Sequence, residues 1–182
     1  KVLPPDINVS DKDFTPVYVD DESGGKGKRN PASQKMGVIR FGLMAVRGVG
    51  EKAVEAVIEE RQKAGAFPNL FEFCDRVDLR TMTKSTVEAL IKCGAFSSMS
   101  PNRAPLLAVL DSAVEAGQQS QNDKRSGQMA MFGGGGPTAP RVTNVALPDI
   151  PEFAPADLLK FEKELLGFYI TSHPLNEHQS AL

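Results

Sequence analysis

The sequence has no tryptophan and only two tyrosines against ten phenylalanines, so any core must be built from aliphatic side chains and Phe. It has two cysteines, Cys74 and Cys93, in no Cys-x-x-Cys pair and with no histidine nearby. That argues against a disulfide framework or a cysteine metal site and leaves two thiols on apolar helical faces. Its two histidines, His173 and His178, have only Glu177 beside them, too few ligands for a metal. No apolar run approaches the ~18 residues of a membrane span, and no signal-peptide pattern is present. Asp6, Asp11, Asp13, Asp20 and Asp21 fall on an extended edge and in a loop, whereas two-metal chemistry needs rigidly placed ligands. No excess of positive charge draws the chain to nucleic acid either, since the net charge is −2. Together these absences describe a soluble, cytoplasmic chain with no catalytic residue, metal or cofactor of its own. A first residue of Lys1 reads as a piece of a longer protein.

What is present centres on Arg47-Gly48-Val49-Gly50, followed at once by Glu51-Lys52-Ala53-Val54-Glu55-Ala56-Val57-Ile58. Two glycines around one apolar residue make a tight turn that another molecule can approach closely. The helix start beyond it leaves backbone N–H groups without partners and carries partial positive charge. Such a turn is a phosphate cradle. Val49 fits as a hydrophobic peg between two helices, Gly48 and Gly50 as N–H donors, and Arg47 and Lys52 as nearby charge. Phosphate contacts carry no base information, so binding would be independent of sequence and sensitive to salt. The competing reading is a purely structural turn between helices.

The hydrophobic pattern supports a mainly α fold in four parts. Residues 1–42 contain a Pro-stiffened start and two short β-type runs, Phe14–Val19 and Val38–Phe41, which form a ribbon around a long polar loop at 20–36. Residues 43–116 form a tandem helix-hairpin-helix domain. Val54, Val57 and Ile58 have helical spacing, with Gly65 as the stop. Asn69 caps a second helix, Leu70–Val77, and a third carries Val87, Leu90 and Ile91, capped by Ser85 or Thr83 and ended by Gly94. A fourth helix spans 101–116. Residues 117–156 are rich in Gln, Ser, Gly and Pro and read as a flexible linker. In 157–182, Asp157 caps a helix from Leu158 to Leu166, and Gly167–Thr171 reads as a strand.

The domain contains an internal repeat. Val54-Glu55-Ala56-Val57-Ile58 returns 33 residues later as Val87-Glu88-Ala89-Leu90-Ile91, which sets Arg80-Thr81-Met82-Thr83 on Arg47-Gly48-Val49-Gly50. Gly65-Ala66-Phe67 is answered by Gly94-Ala95-Phe96. The second turn has lost both glycines, so its phosphate contacts would come from Arg80, Thr81, Thr83 and Lys84. Across 37–100 nine Lys and Arg face eight Asp and Glu, a balance that suits an auxiliary grip. In the linker, Gln128-Met129-Ala130-Met131-Phe132 sets two large apolar groups in a polar, Gly-bounded stretch. A short peptide of this kind can insert anchors into a preformed pocket on a partner.

Four stretches carry a resemblance: Leu3-Pro4-Pro5-Asp6-Ile7-Asn8; Ile39-Arg40-Phe41-Gly42-Leu43 leading into Val46–Gly50; Gln128–Phe132 with Gly133; and Glu164–Pro174. In this order they resemble the bacterial DNA polymerase III alpha subunits, the C-family replicative polymerases. The resemblance implies the region after the fingers, with tandem helix-hairpin-helix motifs on double-stranded DNA. It also implies a clamp-binding peptide, matched here by Gln128, Met131 and Phe132 and more loosely by Met129 and Ala130. A missing oligonucleotide-binding barrel would follow. The parent would be a DNA-directed DNA polymerase using Mg²⁺, with a sliding clamp and other replisome subunits as partners and no membrane. Two departures are the long loop 20–36 and the degenerate second hairpin. A DNA-repair helix-hairpin-helix module is the alternative, and a protein-interaction scaffold without DNA contact is a third; the catalytic carboxylates or lysine of a repair enzyme are not evident.

Overall fold

The structure is a computed structural model and describes residues 2–19, 36–126 and 145–172. Three short strands open it: β1 (Val2–Leu3), β2 (Thr15–Val19) and β3 (Met36–Arg40), in the order β1-β3-β2. β2 pairs antiparallel with β3, from Thr15 opposite Arg40 to Val19 opposite Met36. β1 adds a parallel strand, with Val2 opposite Ile39, that the two-stranded ribbon expected from the sequence did not include. A 3-10 turn at Leu43–Ala45 leads into α1 (Glu51–Ala64), α2 (Leu70–Arg76), α3 (Lys84–Lys92), α4 (Arg103–Ser126) and α5 (Pro155–Leu166).

Local chemistry accounts for most of these boundaries. Ala53, Val54 and Val57 bury one face of α1, and Gly65 closes it at φ 78°. Asn69 caps α2 by accepting from the Glu72 N–H at 2.9 Å. Of the two residues considered for α3, Thr83 is the cap, accepting from the Thr86 N–H at 3.3 Å. Cys74 and Cys93 are buried free thiols, and burial pushes both up to about 12.

One loop locks the two halves together. The Ile7 N–H donates to the Ala95 carbonyl at 2.7 Å. The Asn8 side chain imitates a peptide group: its Oδ1 accepts from the Phe67 N–H at 2.8 Å and its Nδ2 donates to the Phe67 carbonyl at 3.0 Å. The loop thus bonds to both of the repeated Gly-Ala-Phe stops. Beneath it Phe73 lies edge-on between Phe67 and Phe96, at 5.0 Å from each. All three rings are essentially inaccessible, and each such burial is worth about 1.5–3 kcal/mol.

Three expectations need correction. The fourth helix does not stop near residue 116 but runs to Ser126. Gly117 lets it approach α2 so closely that a Cβ there would meet the Cys74 carbonyl oxygen at 2.4 Å. Further along, Gln121 Nε2 donates to the Cys74 and Val77 carbonyls at 3.0 and 2.8 Å, and Lys124 pairs with Asp75 at 2.9 Å. Asp157 is not the cap of α5; Ala154 holds that position, with Pro155 in the first turn. Gly167–Thr171 forms no strand, because Gly167 turns the chain at φ 84° and the Ile170 and Thr171 N–H groups donate to Glu162 Oε2 at 3.0 and 3.2 Å.

Glu162 is the most deeply buried charge among the described residues. Its Oε1 meets Arg103 Nη2 at 3.2 Å and accepts from the Thr171 hydroxyl at 2.9 Å. Arg103 Nη1 in turn donates to the Lys92 carbonyl at 2.7 Å, at the end of α3. Glu152 completes the start of α4 by accepting from the Arg103 and Ala104 N–H groups at 2.6 and 3.0 Å.

Asn8→Ala should leave the Phe67 N–H and carbonyl unpaired and cost about 1–3 kcal/mol. Urea unfolding followed by circular dichroism measures this, and a loss within error of zero would show that the loop is not a structural lock.

Candidate nucleic-acid interface

The first hairpin presents its donors outward. Arg47, Gly48 and Gly50 are exposed, while Val49 between them is 8% accessible and joins the core as the expected peg. The two glycines serve different needs. Gly48 sits at φ 84°, a conformation that costs an L-residue about 1–2 kcal/mol. Gly50 has φ −86° and ψ 155°, open to any residue, and a Cβ on it would meet nothing within 4 Å. Its value is therefore access: Gly50 caps α1 without a side chain over the helix start. Among the described residues, the N–H groups of Gly48, Gly50, Glu51 and Lys52 find no backbone or side-chain acceptor. The side chains of Arg47 and Lys52 likewise enter no hydrogen bond or ion pair there.

The turn is held from behind. The Arg47 N–H donates to the Leu165 carbonyl at 2.9 Å, and the Val49 N–H to the Val46 carbonyl at 3.2 Å. The Thr86 hydroxyl reaches the Gly48 carbonyl at 3.4 Å, so the start of α3 abuts the first hairpin. A residue that sequence reasoning missed lies in front. Lys12 pairs with both Glu51 and Glu55, raising the lysine's pKa and lowering that of Glu51 through their hydrogen bond. It thereby offsets the one carboxylate in the first turn of α1, which would otherwise compete with an incoming anion. Lys12 is 39 residues from Glu51, so no local pattern could have revealed it.

The second hairpin keeps the scaffold and changes the chemistry. Met82, the counterpart of Val49, is fully buried. The other residues are engaged by partners within the chain. Arg80 forms a fork onto Asp78, with Nη2 at 2.7 Å and Nε at 3.0 Å, and its N–H also donates to Asp78 Oδ1. This fork holds the Asp78 carboxyl down at about 2. The Thr81 hydroxyl donates to the Asp78 carbonyl at 2.9 Å, Thr83 caps α3, and Lys84 is paired with Asp111. Gln128, Met129, Ala130, Met131 and Phe132 lie outside the described residues. Among the described residues no three His, Cys, Asp or Glu form a group that could hold a metal ion.

Comparison with known proteins agrees with this geometry. A family model for the helix-hairpin-helix motif matches residues 1–106. The chain is 37% identical to the DNA polymerase III subunit alpha of Pseudomonas aeruginosa, over 98% of its own length and 15% of the relative's. Against the same subunit of Vibrio cholerae the identity is 38%, over 100% of this chain and 14% of the relative. For that of Chlamydia trachomatis it is 35%, over 96% and 13%. The chain thus spans about a seventh of the length of these curated relatives. With two hairpins packed around buried pegs and a family model covering residues 1–106, the chain belongs to the helix-hairpin-helix family, and over its length it is similar to one segment of bacterial DNA polymerase III alpha subunits.

Proposed function

We propose that this chain grips duplex DNA through the phosphate backbone and does so as part of the catalytic subunit of a bacterial replicative DNA polymerase. The observation that carries the reading is the exposed turn from Arg47 to Lys52. Four N–H groups and two cationic side chains there have no partner among the described residues. Backbone N–H groups at a helix start suit phosphate oxygens, and Arg47 and Lys52 add charge that salt screens. The near balance of acid and base favours an auxiliary grip over a tight independent binder.

The relatives' name supplies the rest of the proposal. The parent would be a DNA-directed DNA polymerase whose Mg²⁺ belongs to catalytic residues outside this chain. Residues 1–42 would close the fingers, 43–116 would hold DNA, and 157–182 would lead toward an oligonucleotide-binding barrel. Gln128, Met131 and Phe132, with Met129 and Ala130 between them, would dock on the sliding clamp from the stretch that follows α4. A tether to a ring around the duplex raises the local DNA concentration at the hairpin without any new DNA contact. Other replisome subunits and the cytoplasm are the setting that this reading implies.

Gly50→Val places a side chain over the helix start in a conformation that valine adopts readily. It should weaken duplex binding about threefold to tenfold, equally for unrelated sequences, with a modest fall in Tm because valine caps a helix less well than glycine. Arg47→Ala with Lys52→Ala should lower the slope of log K against log salt by roughly 1 per cation. Fluorescence anisotropy at several salt concentrations measures both, and unchanged affinity with an intact fold removes the first hairpin from the interface. For the tether, Gln128→Ala with Phe132→Ala should abolish binding to a purified sliding clamp in titration calorimetry, and persisting binding rules the peptide out.

A further inference from the structure

The two hairpins differ less in their cations than in what those cations face. Arg80 is the repeat partner of Arg47, and Lys84 follows the second turn where Glu51 follows the first. Arg47 and Lys52 have no partner among the described residues. At the second hairpin each cation is engaged: Arg80 by Asp78, Lys84 by Asp111, Arg125 by Asp78 at 3.7 Å, and Lys124 by Asp75 at 2.9 Å. The engagement extends to the backbone. The Asp78 carboxylate accepts from the Arg80 N–H at 3.1 Å, and its carbonyl accepts from the Thr81 and Met82 N–H groups at 3.1 and 2.9 Å. A carboxylate held by a guanidinium fork and a backbone N–H has the same set of donors that would hold a phosphate oxygen.

We propose that the second hairpin is a latent phosphate contact whose cations, Arg80 and Lys84, are held by the chain's own carboxylates, Asp78 and Asp111. This rests on the reading of the domain as a DNA-backbone binder and adds what limits it to one working hairpin. Three of the four side chains concerned are open to solvent, with Arg80 73% accessible, Lys84 53% and Asp111 67%, while Asp78 is 33% accessible. The Lys84–Asp111 pair is of the weak exposed kind, and the Arg80–Asp78 fork is the stronger of the two. An approaching duplex can therefore exchange carboxylate for phosphate, but each exchange first breaks an existing pair, and the two carboxylates repel the DNA. The second hairpin is thereby attenuated without being dismantled, since its buried peg Met82 and its cap Thr83 remain in place. Grip strength becomes a setting of two acidic residues, which suits a domain that must hold DNA and still slide along it.

The test is fluorescence anisotropy of the 182-residue chain with a short labelled duplex, between about 50 and 200 mM salt. Asp78→Asn with Asp111→Asn should tighten binding about threefold to tenfold and steepen the salt slope by roughly 1 per freed cation. Adding Arg80→Ala and Lys84→Ala to that variant should return affinity and slope to the starting values. Glu59→Gln with Glu60→Gln removes the same charge near the C-terminal end of α1, where both carboxylates face Lys63, and should change little. No gain, or an equal gain from the Glu59 and Glu60 variant, overturns the proposal. Asp111→Asn alone touches only an exposed side chain, so it gives a smaller gain even if Asp78→Asn disturbs the turn; no gain from it in a folded protein also counts against the idea. Gly50→Val in the same assay keeps the two readings apart. If it leaves binding unchanged while the Asp variants tighten it, the first-hairpin reading fails and the second hairpin stands as the contact.

Discussion

A single buried ion pair ties the helical elements to the exposed turn of the first hairpin. Taking Glu162 out of water is tolerable only because its charge is met by Arg103 and by the Ile170 and Thr171 N–H groups and the Thr171 hydroxyl. Breaking such a pair from one side leaves an uncompensated charge, at a cost of about 3–5 kcal/mol. The consequences spread along the chain. Arg103 fixes the end of α3 to the start of α4, and Glu162 fixes the tail after α5. With α5 seated, the Leu165 carbonyl is in place to accept the Arg47 N–H. The exposed turn is thus held in place by a charge that lies inside the protein.

The first hairpin and its echo were legible in the sequence because their signals are local. Helical spacing at Val54, Val57 and Ile58, the Asn69 cap and the glycine stops at Gly65 and Gly94 all appear where the pattern placed them. The repeat aligned Met82 with the expected peg Val49, and both are buried. Longer-range chemistry was not legible. A composition of Gln, Ser and Gly past residue 116 reads as loose chain, yet Gly117 is what permits close packing on Cys74, and Gln121 finds carbonyls more than forty residues away. The run from Phe168 to Thr171 has β-type residues, but its donors are taken by Glu162 before any strand partner can claim them. Pairings such as Lys12 with Glu51 and Glu152 with the start of α4 have no signature at any fixed spacing.

The two copies of the repeat differ in what their turns offer. Losing glycine at the second turn removed access and cheap positive φ, while the peg and the following helix survived because the core needs them. Thr83 then supplied a side-chain cap that Gly50 cannot, which strengthens the helix start and occupies one of its donors. The second copy became the sturdier half of the pair and the first copy the more open half, each stabilised by contacts that the other lacks.

The Cys74 thiol sits under the closest approach of α2 and α4, with its proton held up to about 12 by burial. A thiol in that setting reacts only when the seam parts, because the reactive thiolate is suppressed and no reagent reaches it while Gly117 is seated. The rate at which this sulfur is labelled would therefore be a clock for breathing between the two helices. It turns a packing detail into a native sensor of how often the platform behind the hairpins loosens.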